Sequence, residues 1–163
     1  MRMDESKNVL LDALFNAFGT DSMLKPFTGK ITDSTLCKCF DVLNINFFSS
    51  KLKVIPLMYV SDGEARRFLV SRDAKEDEIP NMFFGVHSVL YDNDPVKLKW
   101  NDTLILHDDV ILLNKKHIGG KSISFLTTCL CHEMIHYYDR MFGEYCDFIV
   151  LIPRKGNHLQ WLP

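Results

Sequence analysis

In the stretch LTTCLCHEMIHYYD, His132 and His136 stand four residues apart, with Glu133 beside the first. Residues four apart on an α-helix differ by about 40° around its axis, so both imidazoles project from one side and can share one ion. Glu133 lies about 100° from His132, close enough to reach a water at an open position of that ion without being a ligand itself. Zinc held by three protein ligands lowers the pKa of such a water to about 7, and a nearby carboxylate accepts its proton and later returns it to a leaving amine. These residue types at this spacing point to metal-assisted hydrolysis, with His132 and His136 as metal ligands and Glu133 as general base.

The same pentapeptide also arises as a pair of hydrogen-bonded core histidines or as a surface feature. Its surroundings favour the metal. The preceding turns, ISFLTTCL, are almost uncharged, and burying three polar groups there without a partner costs several kcal/mol. A zinc site needs a third ligand, and after His136 the ligand-type residues are Asp139, Glu144, Cys146, Asp147 and His158. The metzincin continuation fails, because Asp139 stands where it requires Gly and Phe142 where it requires a ligand. Glu144 lies too near the helix end to serve. His158 leads, since Pro153 and Gly156 mark a loop able to return it to the helix; Asp139 and Asp147 are the alternatives. Tyr137, Tyr138 and Tyr145 offer phenols for an oxyanion, and spacing does not choose among them. His87 and His107 read as sheet or surface residues and His117 as a loop residue. The run His107-Asp108-Asp109 is the next place to look for a ligand.

The elements that must position these residues follow from periodicity. Lys7 to Phe18 carries apolar residues at helical spacing and stops at Gly19; a second helix opens at Asp33 or Ser34 and repeats Leu36, Cys39, Phe40, Leu43 and Phe47. Leu52 to Val60, Arg67 to Ser71, Met82 to Tyr91 and Thr103 to Leu113 read as four short strands between Asp, Asn, Gly and Pro clusters. Their short connections predict mainly antiparallel pairing, with room for one parallel edge. The helix bearing the pentapeptide begins near Ser122 or Ser124 and runs to about Phe142, with Gly143 as its C-cap glycine. The order predicts an α+β fold, with a small mostly antiparallel sheet and helices on one face.

Bulk composition narrows the class. The chain of 163 residues suits a single domain and one sizeable core, and its 47% hydrophobic and 25% charged residues place it among globular sequences. A net charge of -2 provides no global basic field for nucleic acid. Lys115, Lys116 and Lys121, like Arg154 and Lys155, read as solvated surface charge. The five cysteines, with no secretory signal pattern at the start, argue against a disulfide framework and for a reducing compartment. Cys37-Lys38-Cys39 and Cys129-Leu130-Cys131 read as buried helix thiols. No apolar run approaches the roughly 20 residues of a membrane span.

Three stretches resemble the SprT-like zinc metallopeptidases, the family that includes Spartan. CFDVLNINFFSSKLKVIPLMYV looks like that family's helix and its link into the first strand. DTLILHDDVILL looks like the strand before its active-site helix, and LTTCLCHEMIHYYD like its L-HEM-H core. The likeness implies a zincin-like domain over 34–163, with an N-terminal helix extension at 1–30. It implies His132 and His136 as zinc ligands and Glu133 as general base. HLQWL partly matches the motif that supplies the third histidine, with His158 and Trp161 in register and Leu159 where Gly is expected. It also implies a protein substrate, with DNA-associated proteins as the family's substrate class, and a cytoplasmic or nucleoid/nuclear, soluble protein. The sequence has no C-x-x-C pair to build a zinc ribbon. The competing reading is a zinc-containing binding or structural module that cleaves nothing. Glu133 argues against it, since a structural site needs ligands but no proton carrier. A zinc hydrolase acting on something other than a peptide would use the same residues.

Overall fold

The computed structural model describes residues 12–19, 25–27, 29–106 and 108–143, together with the main chain of 151–154 and 158–161. Residues 12–18 are helical (α1), followed by α2 (Asp33–Phe47), β1 (Leu57–Val60) and α3 (Asp62–Val70). Next come β2 (Gly85–Leu90), the two-residue strands β3 (Lys99–Trp100) and β4 (Thr103–Leu104), and β5 (Asp108–Asn114). The short α4 (Lys115–Ile118) leads to α5 (Ile123–Phe142), and β6 (Leu151–Arg154) pairs with β7 (His158–Trp161).

The main sheet has the order β1-β5-β2, with β5 parallel to β1 and antiparallel to β2. It is a mixed sheet, rather than a mostly antiparallel one. β5 occupies its centre because its run Val110–Leu113 is buried throughout, as a strand covered on both faces requires. Alternation divides that run between two cores. Ile111 and Leu113 pack with Leu36, Phe40, Leu130 and Met134 of α2 and α5. Val110 and Leu112 pack with Ala65 and Phe68 of α3. Helices therefore cover both faces, not one.

The source of that difference is local. Arg67 to Ser71, expected as a strand, lies in and just after α3. The sequence Ser61-Asp62-Gly63 reads as a turn but is a helix start: Ser61 Oγ accepts from the Glu64 N–H, and Glu64 accepts from the Ser61 N–H at 2.9 Å. This capping box satisfies two donors that the first helical turn otherwise leaves unpaired. The expected strand Thr103 to Leu113 is two strands. Asn101 and Asp102 take φ of 50° and 61°, which supplies the tight turn of the β3–β4 hairpin. His117 sits in α4 rather than in a loop. The second helix is capped by Thr32 with Thr35, one residue before the expected Asp33.

The helix carrying the pentapeptide matches its expected bounds. Ser122 caps its start by accepting from the Phe125 N–H at 3.2 Å, and Gly143, at φ 59°, closes its end by donating to the Asp139 carbonyl at 2.7 Å. Cys39 and Cys129 are buried and Cys37 and Cys131 are partly covered; Cys146 lies outside the described residues, as do 7–11 of the first expected helix. Among the described residues no helix is long and apolar enough to cross a membrane.

Leu113 is fully buried at the crossing of β5 with α2 and α5, whereas Ile45 is 64% exposed. Leu113→Ala should cost about 2–5 kcal/mol and Ile45→Ala less than about 0.5 kcal/mol, measured as the shift in urea midpoint at unchanged m-value.

Candidate functional site

One face of α5 lies over β2, the strand at the open edge of the main sheet. His132, Glu133 and His136 sit in the middle of that helix. The two rings stand edge to face, 4.8 Å between centroids, with Nε2 of His132 3.2 Å from Nε2 of His136. Burial, and then the neighbouring His136, hold the His132 imidazole below its ordinary pKa, which keeps it neutral. Its Nδ1 is buried with no hydrogen-bond partner among the described residues. Two nitrogens each 2.0–2.1 Å from a tetrahedral ion lie about 3.3 Å apart, so the spacing of the two Nε2 atoms suits a shared ion as well as an N–H···N bond between the rings.

Glu133 points from the same helix toward the sheet, about 100° around the axis from His132, and is only 6% exposed. It fits because β2 opens with glycine: a Cβ on Gly85 would stand 3.1 Å from Glu133 Cγ and 3.0 Å from the Leu112 carbonyl oxygen. Loss of water raises the Glu133 carboxyl to about 7, against a smaller lowering by a hydrogen bond from the His87 main chain. A group with that value exchanges a proton readily at neutral pH, as a general base should. One turn earlier, burial and the nearby Glu133 push the Cys129 thiol to about 12, so it is not an ionised nucleophile at neutral pH.

Sequence reasoning did not single out the polar bridge beside Glu133. Asp109, at the start of β5, accepts from His87 Nε2 at 2.8 Å and from Arg140 Nε and Nη2 at 2.5 Å each. Burial raises the Asp109 carboxyl, but the hydrogen bonds from Arg140 and His87 outweigh it and leave the group below the usual carboxylate range. Burial lowers His87 despite the carboxylate beside it. The bridge therefore joins a neutral imidazole, an ionised carboxylate and a guanidinium across β2, β5 and α5. Its available signals were Arg140, one turn beyond His136, and the acid pair Asp108-Asp109 opening a buried strand.

The other expected residues are more dispersed. Asp139 is exposed, and among the described residues no three His, Cys, Asp or Glu side chains come together to hold an ion. His158 opens β7, opposite Arg154 in the register, and Pro153, expected in the preceding loop, lies in β6; the His158 side chain is outside the described residues, as are His107, Glu144, Tyr145 and Asp147. Tyr137 is buried and donates to the Lys53 carbonyl at 3.3 Å. Tyr138 stacks with Phe48 and Phe142. His117 packs against Phe84 and lies 3.6 Å from Asp62, away from the histidine pair in sequence and in partners. Comparison with protein-family models, characterised proteins and solved structures gave no match.

Glu133 also sets a pH dependence for the metal-free protein. Below pH 4.5 the carboxyl is protonated in the folded and unfolded states alike. Between 4.5 and about 7 only the unfolded chain gives up the proton, so folding stability falls across that window and levels off above it. Urea titrations of chelator-treated protein should show a loss on the order of 3 kcal/mol, absent in Glu133→Gln. Gly85→Ala should destabilise by about 1–3 kcal/mol, through crowding of Leu112 and Glu133.

Proposed function

We propose that this chain is a zinc-dependent endopeptidase in which His132, His136 and His158 hold the metal and Glu133 moves the proton. The observation that carries the reading is the pairing of two convergent imidazole Nε2 atoms, 3.2 Å apart, with a buried carboxyl of raised pKa on the next residue. Zinc, when bound, supplies a Lewis acid that acidifies a water at its open position to about 7.

The chain's own groups then have distinct tasks. Neutral imidazoles are the form that ligates, and burial keeps His132 neutral. Glu133, on the residue next to the first ligand, takes a proton from the attacking water and delivers it to the departing amine. The edge strand supplies a platform for substrate. In the β2–β5 register Phe84 accepts from the Asn114 N–H, so alternation turns the main-chain groups of Gly85, His87 and Val89 away from β5. The Val89 carbonyl already accepts from Arg72, so an extended polypeptide on that edge would pair with Gly85 and the His87 carbonyl, giving affinity through the main chain. Gly85 leaves such a strand close to Glu133. A protein segment drawn out in extended form is the substrate class this edge suits.

Elemental analysis and cleavage of an unfolded protein substrate test the proposal together. Wild type and Glu133→Ala should each hold about one zinc per chain, whereas His132→Ala and His158→Ala should lose it. Glu133→Ala should lower kcat/KM by at least about 100-fold. Zinc retained without cleavage of any unfolded substrate would establish the non-catalytic binding module instead. Absence of zinc after reconstitution would reduce the pentapeptide to helix packing.

A further inference from the structure

The bridge Arg140–Asp109–His87 joins the three elements that meet at Glu133, and neither hydrolysis nor metal binding uses it directly. Asp109 is 6% exposed, and its two carboxylate oxygens take the fork of Arg140 from α5, while one of them also takes the ring of His87 from β2. Arg140 is seven residues beyond Glu133 on α5 and so shares its helix face. Two residues before His87 on the same face of β2, a Cβ on Gly85 would stand 3.1 Å from Glu133 Cγ, and the His87 main chain acts on the Glu133 carboxyl as a hydrogen-bond donor. One buried carboxylate therefore grips the helix that bears Glu133 and the strand residue that holds it.

β2 has a particular need of such a grip. It is paired on one side only, by β5. Along its outer edge Arg72 donates to the Val89 carbonyl at 2.5 Å and pairs with Asp94 at 2.7 Å, which secures the far end of the strand. The near end, from Gly85 to His87, is held by its ladder to β5 and by the contacts to α5. Without Asp109 the His87 ring would lose its acceptor, and the ladder alone would be left to set the height of the His87 main chain beside Glu133.

We infer that Asp109 is a positioning residue for Glu133: by holding the His87 ring and Arg140 together, it sets the spacing between the edge strand and α5 at which the His87 main chain orients the Glu133 carboxyl. The catalytic part of this inference rests on the proposed peptidase activity; the geometric part does not.

Amide hydrogen exchange and steady-state kinetics on Asp109→Asn, beside Arg140→Gln, separate the two. The His87 N–H faces away from β5, so in a bare edge strand it exchanges with solvent; held by Glu133 it is protected. In both variants its exchange should accelerate about tenfold or more relative to wild type, as in Glu133→Ala, while Val86 and Ser88 keep their protection; these expectations scale with the loss of one charge-assisted bond. Zinc content should stay unchanged and kcat should fall about 10–100-fold with KM within about twofold, the size seen when an outer-shell partner is lost. Unchanged His87 exchange in both variants would overturn the inference. So would loss of protection throughout β2, which would make the bridge a brace for the sheet alone. Arg140 is partly exposed, so Arg140→Gln carries the test if Asp109→Asn does not fold. An inactive wild type with the expected exchange pattern would sink the peptidase reading and leave the geometry standing.

Discussion

The desolvation of Glu133 is the constraint on which the site's arrangement depends. A carboxyl in the body of a helix normally faces water, because removing its charge from solvent costs several kcal/mol. Here the helix turns it inward, over a strand that has been cleared for it. Gly85 removes the side chain that would occupy the same volume, and the His87 main chain offers one hydrogen bond in return. One bond does not replace the lost hydration, and the carboxyl answers by rising to about 7. Ligation would require the neighbouring histidines to be neutral, and burial shifts His132 in that direction. Exclusion of water from one stretch of α5 thus favours the neutral form of both Glu133 and His132.

The sheet makes that arrangement possible through the two-residue alternation of its strands. β5 presents Ile111 and Leu113 to the helix pair and Val110 and Leu112 to α3, so it is fixed from both faces and cannot slip by one residue without exposing both sets. Asp109 is in step with Ile111 and Leu113, which brings its carboxylate to the α5 face. His87 lies opposite Ile111 in the register, and its ring comes to the same face. The polar bridge is thus a consequence of the same alternation that builds the apolar core. It is affordable because Asp109 receives donors from two sides, one of them a bidentate arginine.

How much of this was legible in the sequence differed by element. The helix from Ser122 to Gly143 was readable to its ends, since a serine cap, an apolar stripe and a left-handed glycine all agree. α3 was not, because Phe68, Leu69 and Val70 suit a strand equally well and the deciding contact is between Ser61 and Glu64, a capping box hidden inside what resembles a turn. The sheet was only partly legible with it: counting Arg67 to Ser71 as a strand gives a mainly antiparallel meander, and the one parallel edge that reading allowed is the pairing of β1 with β5. The pair His132 and His136 was visible because helix geometry alone brings them together. The bridge from Arg140 to His87 was not, as its members are separated by tens of residues and meet only through strand register.

The partition between visible and hidden parts has a chemical logic. The proposed ligands His132 and His136 and the proposed proton carrier Glu133 are specified locally, by spacing on one helix, and any helix would bring them into the same relation. What a helix cannot specify is the distance from those groups to a substrate, because that distance belongs to the gap between two elements. Here the gap is bounded by α5 and by a strand with one free edge. A strand paired on one side is held less firmly than a central one, so side chains add to the ladder in fixing its position. Arg72 with Asp94 does this at Val89, and Arg140 with Asp109 does it at His87. Both use an arginine fork on a carboxylate, whose planar two-point contact fixes orientation as well as distance. The edge is thus held at its middle and far end, and open at Gly85, the point nearest the carboxyl that the proposed reaction would use.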